Sequence, residues 1–136
     1  MFRFIGAALR QLAAASQPPR EESMTPLESP EDLAACVARS HETPVFLLKH
    51  STRCPISSQA LQEVRDYVDE AGDEGLPVYI NYVVEARPIS TQIAAELGVQ
   101  HESPQLLMLR GGAVEWHTSH GGIRREAMFA VVDKTE

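Results

Sequence analysis

Cys54 is the residue of this sequence best placed to do chemistry. It stands in Thr52-Arg-Cys-Pro-Ile-Ser57, after a continuously apolar run and before a segment with Leu61, Val64, Val68 and Ala71 at helical spacing. That puts the thiol at a helix N-terminus, where unpaired backbone N–H groups and the positive end of the helix dipole favour a thiolate. Thiols so placed have pKa values lowered from about 8.5 to roughly 3.5–7.5, and the thiolate is the species that attacks a disulfide sulfur. Pro55 suits the first helical turn, where a missing N–H costs nothing. The spacing is Cys-x-x-Ser. A second cysteine three residues on would resolve a mixed disulfide, whereas the Ser57 hydroxyl can only donate a hydrogen bond to the thiolate. The chemistry expected is therefore exchange that stops at a mixed disulfide, which a second thiol must clear. The competing reading, Cys54 as a small buried hydrophobe, fits poorly with a loop position ahead of a helix.

The elements that must hold this thiol can be read from pattern. The chain has 136 residues, 43% of them hydrophobic, which suits one packed domain. Residues 1–24 read as a flexible N-terminal extension and a proline-rich polar linker, and 25–136 as the domain. The apolar stretch Phe4–Leu9 is too short to span a bilayer or to serve as a signal peptide, and Arg10 ends it. Ser29 is a plausible N-cap, with Pro30 at the first helical position and Leu33, Cys36 and Val37 on one helical face. Pro44–Lys49 reads as a strand buried on both sides. His50–Pro55 reads as a loop, with a helix after it that Gly72 and Gly75 stop. Pro77–Val84 is the next strand and Ser90–Leu97 a short helix. Gln105–Arg110 is a third strand, and Gly111-Gly112 signals a hairpin. The strand after it alternates, with Val114, Trp116 and Thr118 on one face, and a final helix covers Ile123–Val132. The order α-β-α-β-α-β-β-α is that of an α/β thioredoxin-like fold, with a central mixed sheet of about four strands flanked by helices.

Within such a fold Ser103-Pro104 falls directly before the third strand. A cis proline there would lie beside the cysteine and leave the preceding backbone free to pair with an extended ligand; an ordinary strand-entry proline is the alternative. His50 could help hold the thiolate or hand over a proton, or could simply pack at the strand end. Cys36 could resolve Cys54, but its place between Leu33 and Val37 favours a packed residue. His101, His117 and His120 are joined by no carboxylate cluster, so no metal site is expected. Twelve Lys and Arg against nineteen Asp and Glu give a charge of −7, which disfavours nucleic acid as a partner. Two cysteines are no disulfide framework and suit a reducing cytoplasm.

Lys49-His-Ser-Thr-Arg-Cys-Pro-Ile-Ser57 resembles the active-site stretch of the YtxJ family, the monothiol bacilliredoxins. Val84-Glu-Ala-Arg-Pro-Ile-Ser90, His101-Glu-Ser-Pro-Gln105 and Trp116-His-Thr-Ser-His120 resemble further family stretches, in the same order. The resemblance implies a thiol–disulfide oxidoreductase that serves redox homeostasis by removing bacillithiol from S-bacillithiolated proteins. Cys54 would be the nucleophile, Ser57 its hydrogen-bonding neighbour, and Pro104, with Ser103, Pro55, Arg53 and His50, would line the thiol site. Bacillithiol would be a co-substrate, with no tightly bound cofactor. Its malate carboxylates make Arg53, Lys49, Arg87 and Arg110 candidates for anion binding. Gly121-Gly122-Ile-Arg-Arg departs from the pattern, which has a bulkier residue and a threonine cap there. Two other readings stand beside this one: a non-catalytic client-binding or thiol-sensor module, and a glutathione-type monothiol glutaredoxin holding an iron–sulfur cluster.

Overall fold

The run Val45–His50 forms a strand that is buried at every position, as a continuously apolar segment must be when both faces of its sheet are covered. The other elements build out from it in a computed structural model that describes residues 23–135. Of the extension and linker read over 1–24, residues 1–22 lie outside the described residues. Met24 already packs into the core.

The described elements are β1 (Thr25–Pro26), α1 (Pro30–Arg39), β2 (Val45–His50), α2 (Pro55–Ala71), β3 (Val78–Tyr82), α3 (Arg87–Leu97), β4 (Gln105–Arg110), β5 (Ala113–Ser119) and α4 (Arg125–Thr135). The sheet order is β1-β3-β2-β4-β5. β1, β3 and β2 run parallel, while β4 is antiparallel to β2 and β5 to β4. The sheet thus has five strands where about four were expected. β1 is two residues long and has no periodicity to read, and its Pro26 is tolerated because it lies on the sheet edge.

Two apolar clusters cover the two faces. Phe46, Leu48, Leu106 and Met108 pack with Val64, Tyr67 and Met128 from α2 and α4. Val45, Leu47, Leu107 and Leu109 pack with Leu33, Cys36, Ile89 and Ile93 from α1 and α3. Cys36 therefore lies across the sheet from the helix that Cys54 begins.

Several boundaries differ from the sequence reading for local reasons. β3 ends at Tyr82, and α3 starts at Arg87 because Pro88 occupies its first turn instead of breaking it. α4 starts at Arg125, after a short 3-10 turn, His120–Gly122. The β4–β5 register shifts between Met108 and Leu109, so Met108 faces Trp116 while Leu109 faces Val114. That bulge sends Val114 to the α1/α3 cluster and Trp116 to the α2/α4 cluster, not both to one face. Gly111 and Gly112 take positive φ values of 60° and 82°, the turn geometry that glycine permits in a tight hairpin.

Ser29 caps α1 reciprocally. Its hydroxyl accepts from the Asp32 N–H at 3.1 Å, and its own N–H donates to Asp32 Oδ2 at 3.2 Å. Ser29→Ala is expected to lower stability by about 1 kcal/mol, read as a lower denaturant midpoint at unchanged slope.

Candidate active site

Cys54 is the N-cap of the seventeen-residue α2, in extended geometry at φ −114°. Its carbonyl accepts from the Ser57 and Ser58 N–H groups at 3.0 and 3.3 Å, which starts the helix. Its side chain closes no cap hydrogen bond, and the residue is half-buried. The Ser57 N–H holds the thiol below its ordinary range, against a smaller desolvation effect; the Ile56 N–H and the Ser57 hydroxyl add to the lowering. No charged side chain is needed, because the helix start supplies the partial positive charge. Cys36 is the internal contrast: burial alone pushes its thiol up to about 12.

Ser57 is fully buried, and its hydroxyl oxygen accepts from the Ser51 N–H at 3.3 Å. It therefore ties down the loop that carries Cys54 as well as facing the sulfur. The same loop is held from outside by Thr52 Oγ1 donating to Glu85 Oε1 at 3.0 Å. Arg53, next to Cys54 in the chain, is exposed, and Pro55 occupies the first turn of α2.

The Ser103–Pro104 bond is cis. The register pairs Gln105 with Lys49, so Pro104 arrives opposite the end of β2, where the Cys54 loop begins. The Pro104 carbonyl accepts from the His120 N–H at 3.1 Å, which joins the turn after β5 to the same corner. His50 is not in the loop. It is the last residue of β2, 5% exposed, with its ring edge-on to Tyr82 at 5.7 Å. Alternation along the strand turns it to the Phe46 and Leu48 face.

Of the proposed anion-binding residues, Arg110 is at the far end of the sheet and pairs with Glu115 at 3.6 Å. Lys49 is fully buried, with Nζ 2.8 Å from His101 Nδ1. Arg53 and Arg87 are exposed at the Cys54 end.

A pocket of about 320 Å³ opens along the first turns of α2, lined by Ile56, Gln59, Ala60 and Glu63 of that helix and by His120, Ile123 and Arg124. Sequence reading missed it, because its walls meet only in the fold. Among the described residues, Ile56 is the large hydrophobic side chain left exposed, at 45%. Glycine suits position 122 in the turn that forms the far wall: a Cβ there would force the Thr118 hydroxyl to turn away. Among the described residues no three His, Cys, Asp or Glu side chains gather as metal ligands, and no helix is long and apolar enough to cross a membrane.

The family model described as monothiol bacilliredoxin BrxC matches residues 25–128. The chain belongs to the monothiol bacilliredoxin family. A solved structure described as having a thioredoxin fold is 27% identical, with a TM-score of 0.74, over 88% of this chain and all of the other. The thioredoxin of Fasciola hepatica is 12% identical at a TM-score of 0.64, over 83% of this chain and all of that one. Mitochondrial thioredoxin 3 of Saccharomyces cerevisiae is 10% identical at 0.66, over 85% of this chain and 99% of that one. The last two speak for the fold alone. Family and fold together place this bacilliredoxin relative among thiol redox proteins.

The two cysteines should separate on alkylation. The rate at Cys54 is expected to titrate with a midpoint below that of an ordinary thiol, falling as pH drops through the lowered pKa and flat above it. Cys36 should stay unmodified until the chain is denatured. Ser57→Ala should move the Cys54 midpoint upward by removing the hydroxyl, but only part of the way, because the residue-57 N–H remains. Peptide mapping of iodoacetamide adducts against pH reads all three.

Proposed function

We propose that this protein is a monothiol exchange enzyme that removes a low-molecular-weight thiol, bacillithiol by family, from protein mixed disulfides. The observation that carries this reading is the isolation of the Cys54 thiol. It is thiolate-favouring and half exposed at the start of α2, with Ser57 where a resolving cysteine would stand and Cys36 sealed across the sheet.

The steps follow from that arrangement. The Cys54 thiolate attacks the bacillithiol sulfur of the mixed disulfide. The client leaves as a thiolate and takes a proton from solvent. Cys54 now holds the small thiol as a disulfide, and Ser57 cannot displace it. A second low-molecular-weight thiolate attacks that adduct, restores Cys54 and leaves as a small-molecule disulfide. We assign the small thiol to the pocket bounded by Ile56 and His120, where Arg124 lines the wall and can meet its carboxylates. The half-exposed reduced thiol suits a reducing compartment, and the cytoplasm is the setting we assign.

Intact-mass spectrometry of wild type and Cys54→Ala after incubation with a bacillithiolated model protein tests the reading. Wild type is expected to gain one bacillithiol while the model protein loses it, and Cys54→Ala should do neither. A model protein that keeps its adduct while Cys54 stays free would contradict exchange and favour a client-binding module instead.

A further inference from the structure

Three buried polar side chains form a row across the middle of the sheet, on the face opposite the α2 pocket. The register pairs Lys49 of β2 with Asn81 of β3 on one side and with Gln105 of β4 on the other. All three are at most 1% exposed. Each reaches a different piece of irregular chain at the Cys54 end. Asn81 Nδ2 donates to the carbonyls of Leu27 and Ala86 at 3.2 and 3.4 Å. Gln105 Nε2 donates to the Gln100 carbonyl at 3.0 Å. Lys49 Nζ meets His101 Nδ1 at 2.8 Å, and that nitrogen also lies 3.3 Å from Ser90 Oγ on α3.

Lys49 is the charged member, and stability does not explain it. Its hydrogen-bond partner is an imidazole and not a carboxylate. Burial drags its pKa down to about 8, the mark of an ammonium that folding disfavours. His101 is likewise lowered, by desolvation, then Lys49, then Arg87, with Glu102 opposing, so it stays a neutral acceptor. Asn81 Oδ1 and Gln105 Oε1 are buried without partners beside this amine. A methionine would fill the same space with no charge to bury.

The Lys49 bond does hold the segment that ends in Ser103 and Pro104. That segment has no regular structure, the Ser103 hydroxyl is buried without a partner, and Pro104 has no N–H to give. Its fastenings are the His101 side chain, the Gln100 carbonyl and the Pro104 carbonyl.

We propose that Lys49 is a positioning residue for exchange at Cys54. Through His101 it fixes the Ser103–Pro104 segment against the strand from which the Cys54 loop springs, and so sets where the backbone of an extended, disulfide-bearing substrate lies. This rests on the exchange reading above and adds to it a determinant for polypeptide substrates, remote from the sulfur.

The test compares two disulfides with the full chain. One is the small reagent 5,5′-dithiobis(2-nitrobenzoate), which needs only an accessible thiolate. The other is an extended peptide whose single cysteine carries a thionitrobenzoate disulfide. In both, the Cys54 thiolate displaces the coloured thionitrobenzoate anion, so one absorbance reads both rates. Lys49→Met and His101→Ala should each slow the peptide reaction by roughly tenfold or more, up to the roughly hundredfold that a misplacement of about 1 Å costs. The small reagent should change by less than about twofold. The double variant should be no slower than the slower single, as expected of two ends of one bond. Equal slowing of both disulfides, no slowing, or additive slowing overturns the proposal. His101 is exposed, so its variant decides the matter even if Lys49→Met fails to fold. A wild type that reacts with the small reagent and not with the peptide contradicts the exchange function itself, and the positioning role falls with it. A wild type that reacts with both, matched by its variants, removes the positioning role alone.

A second readout separates the amine from simple packing. The folded pKa of Lys49 is below its unfolded value, so between about pH 8 and 10.5 the unfolded chain binds more protons and stability rises with pH. Lys49→Met should be at least as stable as wild type at pH 7, and that margin should shrink across this window. His101, the Arg87 and Glu102 that act on it, and Tyr79 and Cys36 on the same face of the sheet are unchanged in the variant. A Lys49→Met that is clearly less stable at pH 7 would instead mark Lys49 as a packing residue.

Discussion

The rest of the molecule depends on one sulfur placed where a helix begins. A thiolate half out of water needs positive charge, and among the described residues no lysine or arginine lowers its pKa. The Ser57 and Ile56 amides do, because the first N–H groups of a helix have no carbonyl of their own turn to bond. The site is therefore as good as the anchoring of α2. Ala60, Val64 and Tyr67 bury that helix against the sheet, and Tyr67 meets Phe46 edge-on at 5.3 Å. Phe46 lies on the same strand that ends in the Cys54 loop, so one strand both seats the helix and delivers the thiol to its first turn.

Environment, not residue type, separates the two cysteines. Both follow an apolar or half-apolar stretch and both belong to helices. Cys36 faces inward from the middle of α1, where nothing offsets desolvation, and Cys54 sits where amides do. Their placement on opposite faces of the sheet keeps them from meeting, and that turns a Cys-x-x-Ser spacing into a monothiol site. The serine is also structural. Its hydroxyl oxygen holds the Ser51 N–H, so the residue that fails to resolve a disulfide stabilises the loop in which the disulfide would form.

Much of this was legible in the sequence. Cys54 at a helix start needed only an apolar run before it and helical spacing after it, and Ser29-Pro30 announced α1 by its cap. What was not legible came from contacts between distant segments. Lys49 and His50 read as the end of a strand and the start of a loop. The strand read from pattern already takes in Lys49; pairing with β3 carries it on through His50, and the neighbours β3 and β4 leave the lysine buried at its end. The bulge opposite Met108 and Leu109 shifts β5 by one residue, and no alternation within β5 could reveal it. The two-residue β1 exists only because β3 offers it an edge. The pocket by Ile56 is made by a turn more than sixty residues away, and glycine at 122 becomes intelligible only once Thr118 is seen beneath it.

The central claim is that Cys54 acts alone. The most direct measurement is the lifetime of its adduct. The protein is charged with a small mixed disulfide, freed of excess thiol, and followed by intact mass. The account predicts an adduct on Cys54 that persists unchanged until a second thiol is added, and then leaves at a rate set by that thiol's concentration. Spontaneous loss of the adduct, with a drop of two hydrogens that marks a Cys36–Cys54 disulfide, would contradict it.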